Sequence, residues 1–135
     1  MTRLLRSETI AVRTERDLLL VRQFVRERAT ELSFSGLDLT KLVTAASELA
    51  RNLLIHGGGG TMLVEILAKD ERRGVRLTFA DQGPGIADLD QALTDGFTTK
   101  GGLGLGLPGS RRLVNEFEVI SLVGEGTRVT VTRWT

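Results

Sequence analysis

The chain opens on residues 4–14, where apolar and polar positions weakly alternate and Ile10 and Val12 are β-branched. A period of two predicts a strand. From Glu15 the period lengthens. Leu18, Val21, Val25, Ala29 and Leu32 recur at three- and four-residue spacing, and Leu20 and Phe24 widen the stripe. That is the apolar face of an amphipathic helix running to about Ser33, with Thr14 as N-cap and Asp17 as capping-box partner. Arg22, Arg26 and Arg28 are expected on its solvated face. A turn at residues 34–38 precedes a second helix, capped by Asp38 and running to about Ile55. Its buried stripe is Leu39, Leu42, Ala46, Leu49 and Leu53. Four glycines, 57–60, stop it.

Residues 61–69 and 74–80 read as two strands of an antiparallel hairpin. The DQGPG run at 81–85 is a turn, because its proline and glycines cannot continue a strand. A short helix is expected over 88–95, an irregular stretch from Gly96 to Gly102, and a helix over Pro108–Phe117 with Leu113, Val114 and Phe117 facing inward. Strands at 117–123 and 127–134 close the chain as a hairpin through the GEG turn at 124–126. Helices segregated from strands predict an α+β two-layer sandwich: a mostly antiparallel mixed sheet covered on one face by helices. The order does not suit an alternating dinucleotide fold.

Composition narrows the chemistry. At 135 residues the chain suits one domain, spanning 1–135. It has no cysteine and one histidine, which excludes thiolate metal sites, cysteine nucleophiles and a histidine-based metal cluster. Eighteen basic residues against seventeen acidic ones leave no charge excess of the kind that marks a nucleic-acid or membrane-surface binder. No apolar run approaches the ~18 residues that cross a bilayer, and the start does not read as a signal peptide, so a cytoplasmic location is expected. Glycine is the unusual figure: half of the sixteen lie between Gly83 and Gly109. A core has no use for that concentration, whereas a binding surface made of backbone does.

Three constellations can carry chemistry. In SELARN, residues 47–52, Glu48 and Asn52 are four apart on one helix face. That face borders the apolar stripe, so Glu48 is expected to be partly desolvated, and Asn52 offers a neutral oxygen to a hard cation. In isolation the pair also reads as an ordinary solvated glutamate beside a helix-end asparagine. In DQGPGI, residues 81–86, Asp81 can accept a hydrogen bond from a ligand's amino group, and Gly83 and Gly85 admit the ligand to the backbone. Alone this is also a plain turn. In GGLGLGLPG, residues 101–109, glycine at alternate positions before a helix exposes main-chain N–H groups that can cradle phosphates. Leu103, Leu105 and Leu107 would anchor it.

Together and in this order, the segments Glu48…Asn52, Asp81…Gly83…Gly85 and Gly102…Gly104…Gly106 resemble the nucleotide-binding boxes of the ATPase superfamily that includes gyrase, Hsp90-type chaperones, histidine kinases and MutL. The length leaves room for the bare domain, without the transducer or dimerisation elements of the larger relatives. The runs SELARN, ADQGPGI, DGFTTKGGLGLGLPG, EFE and GEGT are most similar to the small bacterial serine/threonine kinases, and among them to the stressosome switch kinases.

The resemblance implies a Bergerat-type ATP-binding fold with ATP and Mg²⁺ as cofactors. Asn52 would hold Mg²⁺, and Glu48 would be general base towards a protein hydroxyl. Asp81 would accept from the adenine amino group, with Gly83 and Gly85 beside the base and Thr127 adding a hydroxyl. Gly102, Gly104 and Gly106 would offer amides to the phosphates, with Lys100 as a further contact from a short lid over about 95–101. His56, one turn past Asn52, is expected as a helix-end histidine satisfied by backbone carbonyls.

The implied function is an ATP-dependent serine/threonine protein kinase acting as a partner switch in stress signalling. It would phosphorylate a sulfate-transporter/anti-sigma-antagonist (STAS) domain scaffold, then bind and activate a downstream phosphatase, with a stressosome complex as possible setting. An anti-sigma factor kinase that sequesters a sigma subunit, and a non-catalytic nucleotide-gated binding module, remain the alternatives. Neither nucleic acid nor membrane is an expected partner.

Overall fold

The computed structural model describes residues 1–83 and 107–135. Five strands form one sheet: β1 (Thr2–Val12), β2 (Gly60–Lys69), β3 (Arg72–Asp81), β4 (Glu116–Leu122) and β5 (Gly126–Trp134). Their spatial order is β1-β2-β3-β5-β4, and each neighbouring pair among the described residues is antiparallel. The expected mixed character is therefore absent from this sheet, because each sequence-local pair is joined as a hairpin and β1 runs back against β2. The helices are α1 (Glu15–Glu31), α2 (Gly36–Ile55) and the short α3 (Leu107–Arg112).

Strand parity sets the core. Ile10 and Val12 of β1, Met62, Val64 and Ile66 of β2, Val75, Leu77 and Phe79 of β3, and Val129 and Val131 of β5 lie in register on the face beneath the helices. Leu18, Val21, Val25 and Ala29 of α1 meet them together with Leu42, Ala46, Leu49 and Leu53 of α2, all buried. The two stripes read from the sequence are thus the helical half of the core. Leu20 is the exception: it is 49% exposed, on the outer side of α1.

Helix termini follow local chemistry, with one correction. The Asp17 carboxylate accepts from the main-chain N–H groups of Arg13 (2.8 Å) and Thr14 (3.1 Å), as the capping box requires. These bonds hold its pKa below the usual carboxylate value. α2 starts earlier than expected. Ser35 is the N-cap, its hydroxyl accepting from the Asp38 N–H (3.2 Å). Asp38 instead sits in the first turn and pairs with the Arg133 guanidinium from β5, so a tertiary contact displaces the local capping role. α3 ends at Arg112 rather than Phe117, since Glu116 already pairs with Thr132 in the sheet. Val114 and Phe117 still pack against the core, half-buried.

Arg28 also departs from its expected solvated position. Its side chain is 11% exposed, bonded to Glu8 of β1 (3.0 Å) and Glu31 (2.6 Å), with its guanidinium 4.4 Å from the Phe24 ring centroid. It ties α1 to the edge strand. On the helix-free face of the sheet, Trp134 covers Gly74, and the Arg76 guanidinium bonds both carboxylate oxygens of Glu65 (2.8 and 3.1 Å). No described helix is long and apolar enough to cross a membrane.

Arg133, and then the Ser35 hydroxyl, hold the Asp38 pKa below its ordinary 3.8. The folded value lies below the unfolded one, so the stabilisation is present above pH 3.8 and disappears as pH falls through the folded value. Asp38→Asn is therefore expected to melt below the parent chain at neutral pH. The two melting temperatures should converge in acid well under 3.8; a constant gap across that range would contradict the ion-pair account.

Candidate functional site

The second helix delivers the first constellation. Leu49 and Leu53 are buried, which fixes the rotation of α2 and leaves Glu48 exposed and Asn52 half-buried. The partial desolvation expected for Glu48 is not observed, because its position falls on the solvent side of the boundary. The Asn52 carbonyl accepts from the N–H groups of both His56 (3.0 Å) and Gly57 (3.3 Å), and Leu53 O accepts from Gly59 (2.6 Å). The helix thus unwinds through the glycine run directly into β2.

That exit meets the second constellation. Gly60 pairs with Asp81 across the β2–β3 ladder. Asp81 has the parity of Phe79, so its carboxylate lies on the helix side of the sheet. Oδ1 accepts from Gly83 N (2.8 Å) and Thr127 N (3.3 Å). Thr127, at the start of β5, shares a hydroxyl contact with Ser121 of β4 (3.0 Å). Three chain segments remote in sequence therefore meet on one carboxylate.

Glycine makes the meeting possible. A Cβ on Gly57 would lie 2.5 Å from Asp81 Cγ, and one on Gly126 would lie 2.1 Å from Asp81 O. Gly126 also holds φ at +110°, which side-chain-bearing residues rarely adopt. The glycine run read from the sequence only as a helix stop, and the GEG turn read only as a hairpin, are walls of this site. Local patterning does not reveal that, because the contact lies between chain segments far apart in sequence.

His56 adds an unanticipated element. Among the described residues its buried Nε2 has no hydrogen-bond partner, so the expected satisfaction by backbone carbonyls is not found at that atom. Burial pushes its pKa below 6.5, and the nearby Asp81 charge opposes this in part. Arg51 is exposed.

Expectations for Gly85, Lys100, Gly102, Gly104 and Gly106, with the short helix at 88–95 and the lid at 95–101, fall outside the described residues. A cleft of about 1030 Å³ borders the same glycines and is lined also by Asp81, Thr127, Thr61, Thr78, Ile120 and Arg128.

The polar groups present suit an adenine nucleotide. Asp81 Oδ2 has no hydrogen-bond partner among the described residues and can accept from an exocyclic amino group. Gly57 and Gly83 let the α2 exit pack directly against Asp81, which holds the carboxylate in place. The buried Nε2 of His56 lacks a partner that a base or bound water supplies. Among the described residues no cluster of three His, Cys, Asp or Glu side chains exists. A cation held here would take its oxygens mainly from phosphates and water, and Asn52 is the residue that would add one.

An antiparallel sheet with one helical layer, a helix bearing Glu-x-x-x-Asn and a strand-end aspartate walled by glycine define the α+β sandwich class of ATPase domains. The family model of histidine kinase-, DNA gyrase B- and HSP90-like ATPases matches residues 37–134, and the chain belongs to that family. Within it the chain falls in the small serine/threonine-kinase branch. It is 42% identical over 125 residues to Serine/threonine-protein kinase RsbT of Bacillus subtilis (strain 168), covering 93% of this chain and 94% of the relative. It is 37% identical over 102 residues to an Anti-sigma F factor of Bacillus cereus (strain G9842), covering 72% and 70%. Two solved structures share the fold. One contains the RsbU and RsbW domains of Rv1364c from Mycobacterium tuberculosis (TM-score 0.65, 24% identity), with 96% of this chain matched to 32% of that longer chain. The other is the catalytic domain of histidine kinase ThkA (TM-score 0.54, 16% identity), with 96% and 95% covered.

Gly57→Ala forces Asp81 off its position. It should destabilise the fold by about 2 kcal/mol, the usual range for overpacking, and weaken Mg·ATP binding at least roughly tenfold. Gly36→Ala, whose added Cβ meets nothing within 4 Å, is the control: it should melt no lower than the parent and leave the titration unchanged. Equal behaviour of the two variants in calorimetry would contradict the clasp.

Proposed function

We propose that the chain is an ATP- and Mg²⁺-dependent serine/threonine protein kinase that acts as a partner switch. The observation that carries this reading is the Asp81 clasp, one helical turn beyond Asn52 and two beyond Glu48 on the same helix. A purine seated on Asp81 directs its phosphates back along α2 towards Asn52, with Thr127 and the glycine walls holding the base. The span from His56 to Glu48 is about 12 Å at 1.5 Å per residue, a length suited to a nucleoside triphosphate.

Phosphoryl transfer asks for positioning and charge neutralisation more than covalent chemistry. Bound Mg²⁺ supplies charge neutralisation at the phosphates, with Asn52 as its protein ligand. Glu48 orients the incoming hydroxyl and takes its proton. Its exposure supports this role, because the acceptor is a serine or threonine on another protein and must reach the carboxylate from solvent. Lys100, Gly102, Gly104 and Gly106 complete the phosphate contacts and Gly85 the base contacts in this scheme.

The acceptor we propose is a STAS-domain scaffold, and the second partner a protein phosphatase activated after the kinase leaves that scaffold, within a stressosome-type assembly. Kinship with the serine/threonine-protein kinase RsbT over nearly the whole chain supports a protein hydroxyl as the acceptor. Kinship with anti-sigma F factors favours a second reading, in which the same nucleotide site governs capture of a sigma subunit.

Incubation with γ-labelled ATP, Mg²⁺ and a STAS-domain protein tests the scheme. The parent chain should transfer label to serine or threonine. Glu48→Ala should lower transfer by at least about 10²-fold, within the range of a lost general base, while keeping ATP affinity. Asp81→Asn should lose affinity itself. Retained transfer in Glu48→Ala would remove that residue from the chemistry, and ATP-dependent capture of a sigma subunit without phosphatase binding would favour the second reading.

A further inference from the structure

The end of β5 fastens two helices at once. Arg133 has the parity of the buried Val131, so it lies on the helix side of the sheet, and its side chain is only 13% exposed. The guanidinium pairs with the Asp38 carboxylate in the first turn of α2. Its Nη1 donates to the Leu113 carbonyl, one residue past the end of α3 (2.8 Å). A planar guanidinium can meet a carboxylate and a carbonyl at the same time, which suits arginine to this place.

The short helix needs such an anchor. Its six residues, LPGSRR, include a proline and a glycine and fall far short of the ~12–15 that hold an isolated helix. Tertiary contacts hold it instead. Leu107, at its start, is buried. At its exit Asn115 N donates to Thr132 O (2.9 Å), and Trp134 N donates to the Asn115 side-chain oxygen (2.7 Å). Those two bonds tie the exit to β5. Arg133 adds a link to α2, the helix that carries Glu48 and Asn52. In sequence, Gly106 is the residue before α3. How α3 is held therefore sets the point from which the chain leaves Leu107 towards Gly106, Gly104 and Gly102.

We infer that Arg133 is a positioning residue for the phosphate end of the nucleotide: by fastening the exit of α3 to the start of α2, it holds the helix that follows the glycine box in place against the helix that carries Asn52 and Glu48. The inference rests on the nucleotide reading above and adds to it a residue that touches neither base nor phosphate. The base end is insulated from this clamp. Asp38 and His56 are eighteen residues apart along α2, roughly 27 Å at 1.5 Å per residue.

Amide-shift titration with Mg·ATP and with adenosine, well below the melting temperature, separates positioning from plain stability. Arg133→Met keeps the aliphatic stem and removes both polar arms. It should melt below the parent chain, because Asp38 loses its partner. It should also bind Mg·ATP roughly tenfold more weakly, while its affinity for adenosine stays within about twofold. An affinity ratio between the two ligands that is unchanged or reversed, whatever the melting temperature, would make Arg133 purely structural. That result overturns the inference and leaves the Asp81 reading standing. If Arg133→Met does not fold, Arg133→Gln, which keeps an N–H donor without the charge, enters the same comparison, and its ratio should move the same way. A parent chain with no affinity for Mg·ATP would overturn the nucleotide reading itself and this inference with it.

Discussion

The site depends on backbone reaching one carboxylate with no side chain in between. Asp81 sits at the end of β3, half-buried, where an ionised group is costly unless its oxygens are bonded. Main-chain donors from Gly83 and Thr127 supply that bonding on Oδ1. Their approach, and that of the α2 exit, is possible only because residues 57, 83 and 126 lack a Cβ. Glycine weakens the unliganded fold through its backbone entropy. Its placement at three points around one carboxylate therefore marks close backbone packing that fixes the carboxylate's position.

The scaffold keeps this geometry rigid. The stripe from Leu42 to Leu53 locks α2 against Met62, Val64, Leu77 and Phe79, so the Glu48–Asn52 face cannot rotate independently of the sheet. Asp38 to Arg133 anchors the start of the helix on β5, and the Gly60–Asp81 register anchors its exit. One rigid helix thus presents Glu48 to solvent and Asn52 at the boundary, with His56 at its end. In the proposed scheme, cation binding and proton transfer are separated along it by one turn. A kinase whose acceptor is another protein needs that gradient of exposure, because its base must be reached from outside while the nucleotide is held within.

Much of this was legible in the chain before any coordinates. The stripes of α1 and α2 have full helical period, and both hairpins carry their turn residues, so the layers and most strand bounds follow from local pattern. The ordered boxes around Glu48, Asn52 and Asp81 pointed to the right family. What escaped was tertiary. Nothing near Asp38 announces Arg133 as its partner, so the cap was placed three residues late. Arg28 looked solvated because Glu8 lies on a different element. The run at 57–60 looked like punctuation because its partner, Asp81, is two strands away. The unsatisfied nitrogen of His56 cannot be read from sequence at all, since burial of a single atom depends on how several elements pack.

Amide chemical-shift mapping with Mg·ATP tests the central claim most directly. The account predicts that the amides of Gly57, Gly83 and Thr127 shift together in one saturable titration, with Asn52 and His56 among the side chains that respond. Shifts confined to the helix-free face around Leu63 and Ile120, or none at saturating nucleotide, would contradict it.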